Sequence, residues 1–168
     1  IKEIKPITLY KSLHSNTEKS TVIIFLSEIL ESVFREEGEN NQNLFNFMFR
    51  SLNWYDNQAF CNNFHIKFLI ELTRYIGFYP NIKDDEDVYF NLESGSSSHI
   101  KPLAKYIDKD EFKIFKKILG MEFEDLNYIN INNESRSRML SYLIDYYSLH
   151  LQMFKTPKSI NVFREIFK

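Results

Sequence analysis

Cysteine is almost absent, with Cys61 the single thiol among 168 residues. No intrachain disulfide can form, and no cysteine-based zinc site can be built from this chain alone. A reducing, cytoplasmic setting is the expectation that follows. Glycine and proline are scarce, four of each, and there is no glycine-rich loop of the P-loop or dinucleotide-binding kind. Apolar runs are short. None approaches the ~20 residues that a membrane helix requires, so no membrane span is expected. Ile1–Tyr10 shows neither an initiating Met nor a basic leader with a small-residue cleavage site, so these residues are not expected to be a signal peptide. The abrupt opening at Ile1 reads as a chain trimmed at a domain border. An excess of positive charge is missing as well: the formal net charge is −2, which argues against a protein that coats nucleic acid by bulk charge.

What is present is helical periodicity. The length suits one domain with a core that needs no staple. Pro6 among Ile1, Ile4, Ile7 and Leu9 favours an extended N-terminal strand over a helix. Asn16 or Thr17 can then cap a helix over about 17–37, with Val22, Leu26, Ile29, Leu30 and Val33 on one face and Gly38 as its stop. A second helix is expected over about 41–55 (Leu44, Phe45, Met48, Leu52, Tyr55). A third is expected over about 59–76 (Phe64, Phe68, Leu72, Ile76), ending at Gly77 with Pro80 beyond. Val88–Leu92 reads as a short strand running into a flexible serine tip, a small hairpin near residues 88–100. Helices follow at Lys109–Leu119, Glu134–Leu151 and Lys158–Phe167. The fold class is therefore all-α: a bundle of about six helices with a small hairpin or loop insertion and a short N-terminal strand remnant.

Little of the chemistry an enzyme needs is visible. His14, His65, His99 and His150 fall in different elements without the i, i+4 pairing of a helical metal site. Cys61 beside the third helix would gain thiolate character at a helix start, but a small residue in a helix–helix contact is the simpler reading. Glu36, Glu37 and Glu39, and the run Asp84–Asp87, lack the ligand alternation of a calcium loop and read as solvated turns. No metal and no cofactor are expected, and no catalytic residue is assigned. Phe and Tyr fall mostly on helical stripes, which makes them core residues before they are stacking platforms.

The cations are distributed unevenly. Residues 1–100 carry nine Lys and Arg against fourteen Asp and Glu, whereas residues 101–168 carry twelve against nine. Lys113, Lys116 and Lys117 cluster on one helix, while Arg136, Arg138, Lys155 and Lys158 decorate the last two. Side chains of this kind can track phosphates without reading sequence. A solvated face is the competing reading of the same pattern.

Several segments resemble one family. Asn62-Asn63-Phe64-His65-Ile66-Lys67-Phe68-Leu69 through Arg74-Tyr75-Ile76-Gly77-Phe78-Tyr79-Pro80 resembles the central helix and following turn of RecO proteins. Tyr146–Leu151, then Lys155-Thr156-Pro157-Lys158-Ser159 and Val162-Phe163, resembles the family's closing helix, Lys-Ser turn and last helix. Ile1–Ile4 resembles the last strand of its OB domain. The resemblance divides the chain into 1–12, the end of an OB domain and linker, and 13–168, a RecO C-terminal-like helical domain. It implies a non-enzymatic mediator of DNA repair and recombination. Such a mediator binds single- and double-stranded DNA and single-strand-binding protein, and acts with RecR to help load RecA. Family members often carry a four-cysteine zinc module where this chain has Tyr89–Lys101, and with no cysteine there no zinc is expected. In this family the acidic, aromatic-ended tail of single-strand-binding protein docks on the helical domain. Helices two and three offer a groove for it, Phe64 contributing to an apolar floor and Arg50, Lys67 and Arg74 to a basic rim. A helical ligand-sensing or regulatory domain is the rival from another class, to be favoured by a deep enclosed apolar pocket.

Overall fold

The computed structural model describes residues 9–37 and 41–166. Most of the expected N-terminal strand, the stop at Gly38, and Phe167 and Lys168 lie outside the described residues. The described chain forms helices α1 (Thr17–Glu37), α2 (Gln42–Asn57) and α3 (Phe64–Tyr75), then strands β1 (Tyr89–Asn91), β2 (Ser96–Ser98) and β3 (Tyr106–Ile107). Helix α4 (Lys109–Leu119), a short 3-10 helix (Phe123–Tyr128), α5 (Asn133–His150) and α6 (Ile160–Ile166) complete it. The mostly α-helical expectation with a small hairpin holds.

Side-chain oxygens set the helix starts by taking orphan backbone N–H groups. Asn16 accepts from the Lys19 N–H at 2.8 Å, Asn41 from Leu44 at 2.9 Å and Asn132 from Ser135 at 2.8 Å. Helix α3 begins five residues later than its periodicity suggests. The Phe64 N–H closes a turn onto the Cys61 carbonyl, and the Asn63 amide is engaged elsewhere, donating to the carbonyls of Ile129 (3.1 Å) and Leu126 (3.5 Å).

Helix α3 is the centre of the molecule. Every residue from Phe64 to Ile70 is buried, His65 and Lys67 included. A helical stretch buried on every side must be enclosed by other elements, and α2, α4, α5 and the 3-10 helix all pack against this helix. Tyr55 of α2 stacks on Phe64 with ring centroids 3.9 Å apart, Phe47 meets Phe68 at 5.1 Å, and the Tyr147 hydroxyl of α5 donates to the Leu69 carbonyl at 2.8 Å. Burying each Phe, Leu or Ile of this helix contributes on the order of 2 kcal/mol.

The strands form one antiparallel sheet in the order β2-β1-β3, with Phe90 opposite both Ser97 and Ile107. The serine segment is anchored, contrary to the flexible tip that its composition suggests. Ser96 and Ser97 are buried, the Ser97 hydroxyl donates to Asp87 at 2.5 Å, and Asn81 bonds both to Gly95 and to Ser97 through its backbone. Gly95 has φ +63°, and a Cβ there would lie 2.7 Å from the Tyr146 hydroxyl. Glycine is required on both counts. The third strand has no signal in the sequence, since two residues carry no alternation to read.

One polar clasp holds the start of the described chain. Asp56, at the end of α2, accepts the backbone N–H groups of Lys11 (2.8 Å), Ser12 (2.7 Å) and Leu13 (3.0 Å). Beside it the buried Lys19 ammonium donates to the carbonyls of Tyr55 and Gln58, each at 2.7 Å, capping the last turn of α2. Burial alone would push the Asp56 carboxyl up, but these hydrogen bonds outweigh it and hold the group at about 2. A carboxylate held below its unfolded value of about 3.9 stabilises the fold above that pH. The contribution is lost as pH falls through the folded value. Urea unfolding of the Asp56→Asn variant should therefore show a shallower loss of stability than the parent between about pH 4 and about pH 2. Parallel curves would contradict the clasp.

Candidate functional site

The cations read from the sequence separate into two groups once their partners are known. Arg136 is buried, and its guanidinium donates to Asn63 Oδ1 (3.2 Å), Asn133 Oδ1 (2.7 Å) and the Ile131 carbonyl (2.6 Å). It ties the start of α5 to the start of α3 and is not presented to a phosphate. Arg138 is ion-paired to Glu111 and Glu134, each at 2.5 Å. Lys116 donates to the carbonyls of Asp85 (2.6 Å) and Asp87 (3.1 Å), closing the acidic turn against α4.

Lys113, Lys117, Lys155 and Lys158 are exposed. Among the described residues the first has only a loose contact with Asp110, at 3.8 Å, and the others have no ion pair. Lys155 and Lys158 sit on a turn fastened to α1 by its main chain. Ser32 accepts the Lys155 N–H (3.3 Å), Glu28 accepts the N–H groups of Lys158 and Ser159, and Glu36 accepts those of Gln152 and Met153 (3.1 Å each). Beyond the turn, Phe163 of α6 packs on Phe25 of α1 with centroids 4.5 Å apart. The turn is thus held by its backbone while both ammonium groups remain in solvent.

The groove expected between helices two and three exists, with the 3-10 helix as its third wall and a volume of about 280 Å³. Phe47, Trp54, Tyr75 and Phe123 supply its aromatic surface. Of the four residues assigned from sequence, Arg50 and Lys67 line it. Phe64 lies buried behind Trp54 and Phe123. Arg74 points over the Tyr79 ring, 3.9 Å from its centroid, and is not among the lining residues. Lys67 is buried and engaged by Glu71 Oε1 (2.7 Å) and the Leu119 carbonyl (3.2 Å). Glu71 is in turn bonded to Arg74 at 3.2 Å, whereas Glu122 and Glu124 also line the groove. The rim is therefore mixed in charge, with Arg50 the lining cation that has no carboxylate partner among the described residues. Sequence reasoning missed the 3-10 wall, whose six residues are too few for a periodic signal.

Two titratable side chains of the core are held in their neutral forms. Burial pushes the Cys61 thiol up, away from a thiolate. Burial, helped by Arg136, pushes His65 down to about 3 and keeps it neutral in the core. His150 stacks on Phe78 at 5.0 Å and bonds to the Leu92 carbonyl. The sheet does not fit a zinc ion. It contains no cysteine, Asp84 and Asp87 each contact His99 at 3.5 Å, and Asp87 takes the Ser97 hydroxyl. No group of three or more His, Cys, Asp or Glu among the described residues is arranged to hold a metal. No described helix is long and apolar enough to cross a membrane.

Comparison with known proteins shows what the chain is similar to. The family model described as Recombination protein O C terminal matches residues 14–159. DNA repair protein RecO of Flavobacterium psychrophilum is 39% identical over 166 residues, covering 99% of this chain and 69% of the relative. The RecO proteins of Christiangramia forsetii and Bacteroides fragilis are 38% and 33% identical, each match covering 99% of this chain and 70% of the relative. No solved structure matches.

The division of the cations has a measurable consequence. Arg136→Met leaves the Asn63 and Ile131 oxygens without their donor, which should cost about 3 kcal/mol in urea unfolding. Lys117→Met, at an exposed position, should stay within about 0.5 kcal/mol. Equal effects would contradict the division.

Proposed function

The chain belongs to the RecO family of DNA repair proteins, spanning its C-terminal helical domain, and from that premise we propose that it is a non-enzymatic mediator of DNA repair and recombination. It works in the bacterial cytoplasm, binding single- and double-stranded DNA and single-strand-binding protein, and acts with RecR in helping to load RecA. The observation that carries the DNA part is the Lys155–Ser159 turn, two solvated ammonium groups on a backbone pinned by Glu28, Ser32 and Glu36 of α1. A pinned turn offers cations to phosphates with little loss of main-chain entropy. Lys113 and Lys117 extend the set on α4. All of these contacts go to the backbone of DNA, so binding is independent of base sequence and sensitive to salt.

The partner part rests on the groove of α2, α3 and the 3-10 helix. Its aromatic walls suit the terminal ring of the acidic tail of single-strand-binding protein, and Arg50 suits a carboxylate of that tail. Lys67 and Arg74 act mainly by neutralising Glu71, which would otherwise repel the tail. The groove is open and charged at its rim, so nothing in it favours the ligand-sensing alternative.

Two measurements test the two parts. Fluorescence anisotropy with single-stranded DNA should give a log affinity that falls linearly with log salt. Changing both Lys155 and Lys158 to Ala should make that slope shallower by about 1.4, about 0.7 for each phosphate that is no longer neutralised. An unchanged slope removes the turn from the interface. A peptide of the acidic, Phe-terminated tail should bind about ten-fold more weakly to Arg50→Glu, as expected when a charge-assisted hydrogen bond is removed. Deleting its Phe should weaken binding equally at low and high salt, and a Phe-less peptide that binds as well as the intact one would refute the groove.

A further inference from the structure

The sheet carries a second cavity of about 280 Å³ whose lining contains no carboxylate. Lys83 and Lys101 both line it, exposed and without an ion pair among the described residues. Asn91, Ser94 and Ser96 line it as well. The Asn91 oxygen accepts the N–H groups of Glu93 (2.8 Å) and Ser94 (3.1 Å), and its amide N–H donors have no partner among the described residues. Ser94 and Ser96 share one hydrogen bond at 2.8 Å, so one of the two hydroxyl protons is also unused. Two of the acids near it are engaged. Asp84 and Asp87 each face His99 at 3.5 Å, and Asp87 takes the Ser97 hydroxyl. Two ammonium groups, an amide and a hydroxyl, with no carboxylate in the lining itself, form a set suited to a phosphate.

The side chains beside this bowl are apolar and solvated. Ile100 and Pro102 contribute to its wall, and Ile100 is 80% exposed. Leu103 is fully exposed at the end of the same loop, and the Lys101 ammonium sits 5.3 Å from the centroid of the Tyr106 ring. An apolar prominence next to a phosphate bowl matches a nucleotide unit, whose unpaired base needs a surface to cover it. A free phosphate ion has no use for that surface. In a duplex the base faces are already covered by stacking.

We propose that this bowl and the Ile100–Leu103 loop form a second contact for single-stranded DNA, one backbone phosphate held between Lys83 and Lys101 and its base lying against Leu103. The proposal rests on the DNA reading above but uses different residues. The bowl shares no residue with the α1-pinned turn, so a strand touching both is held by two sets of contacts.

The test is anisotropy of a fluorescein-labelled oligothymidylate with the whole chain, over a salt series, using Lys83→Ala/Lys101→Ala and Leu103→Ala, whose substituted side chains are all exposed. The lysine pair should lower affinity several-fold at low salt and make the slope shallower by up to about 1.4. Leu103→Ala should lower affinity about three-fold with the slope unchanged, because a base contact releases no counterion. If the lysine variant matches the parent in both affinity and slope while Lys155→Ala/Lys158→Ala does not, the second contact is wrong and the DNA reading stands. If Leu103→Ala binds as the parent does, the base contact is wrong. If the parent chain binds no oligothymidylate, both readings fall.

Discussion

Everything else in this structure is arranged around one helix whose first seven residues have no face for water. From Phe64 to Ile70 each side chain of α3 is buried, so four neighbouring elements must close over it and each polar group taken inside needs a partner there. Those partners come from far along the chain. Asn63 reaches Ile129 and Arg136, Lys67 reaches Leu119, and Tyr147 reaches Leu69. The core is thus stapled by single polar bonds between distant segments, in a protein that has no disulfide and no metal cluster among its described residues.

The same constraint sorts the positive charge. Lys19, Lys67 and Arg136 are drawn inward to cap carbonyls or satisfy oxygens, and Arg138 and Lys116 are tied down at the margin. What remains for a polyanion is a small number of solvated lysines on surfaces that the fold holds still. The acidic side chains of α1 show how this is done. Glu28 and Glu36 bind the backbone of the turn between α5 and α6 and leave the Lys155 and Lys158 ammonium groups to solvent. A nearly neutral chain can in this way present local positive surfaces without carrying a bulk positive field.

Legibility in the sequence follows the range of the interactions. Helices come through because their periodicity and Asn caps are local, and α1 and α4 fall on their expected bounds. The start of α3 is not legible, because its limit is set by Asn63 bonding to residues more than sixty positions away. The cations are the least legible part. Arg136 lies among the same basic residues as Lys155 in the sequence, and only a partner 73 positions distant marks it as internal. Some of the sorting is within reach: Glu71 four residues after Lys67 and Glu134 four before Arg138 are helical pairings that foretell an engaged cation. The carboxylate-free bowl on the sheet leaves no signal of this kind. It is assembled from Lys83, the serines and Lys101 only once the register of β1 and β2 is set.

The central claim is that the fold divides its lysines into internal and solvated sets, and that the solvated set meets DNA. Acetylation footprinting read by mass spectrometry addresses both halves at once. In the free chain Lys19 and Lys67 should resist modification while Lys83, Lys101, Lys113, Lys117, Lys155 and Lys158 react. Single-stranded DNA should then protect Lys155 and Lys158, together with Lys83 and Lys101. Ready modification of Lys67 in the folded chain, or DNA that protects none of the solvated lysines, would contradict the account.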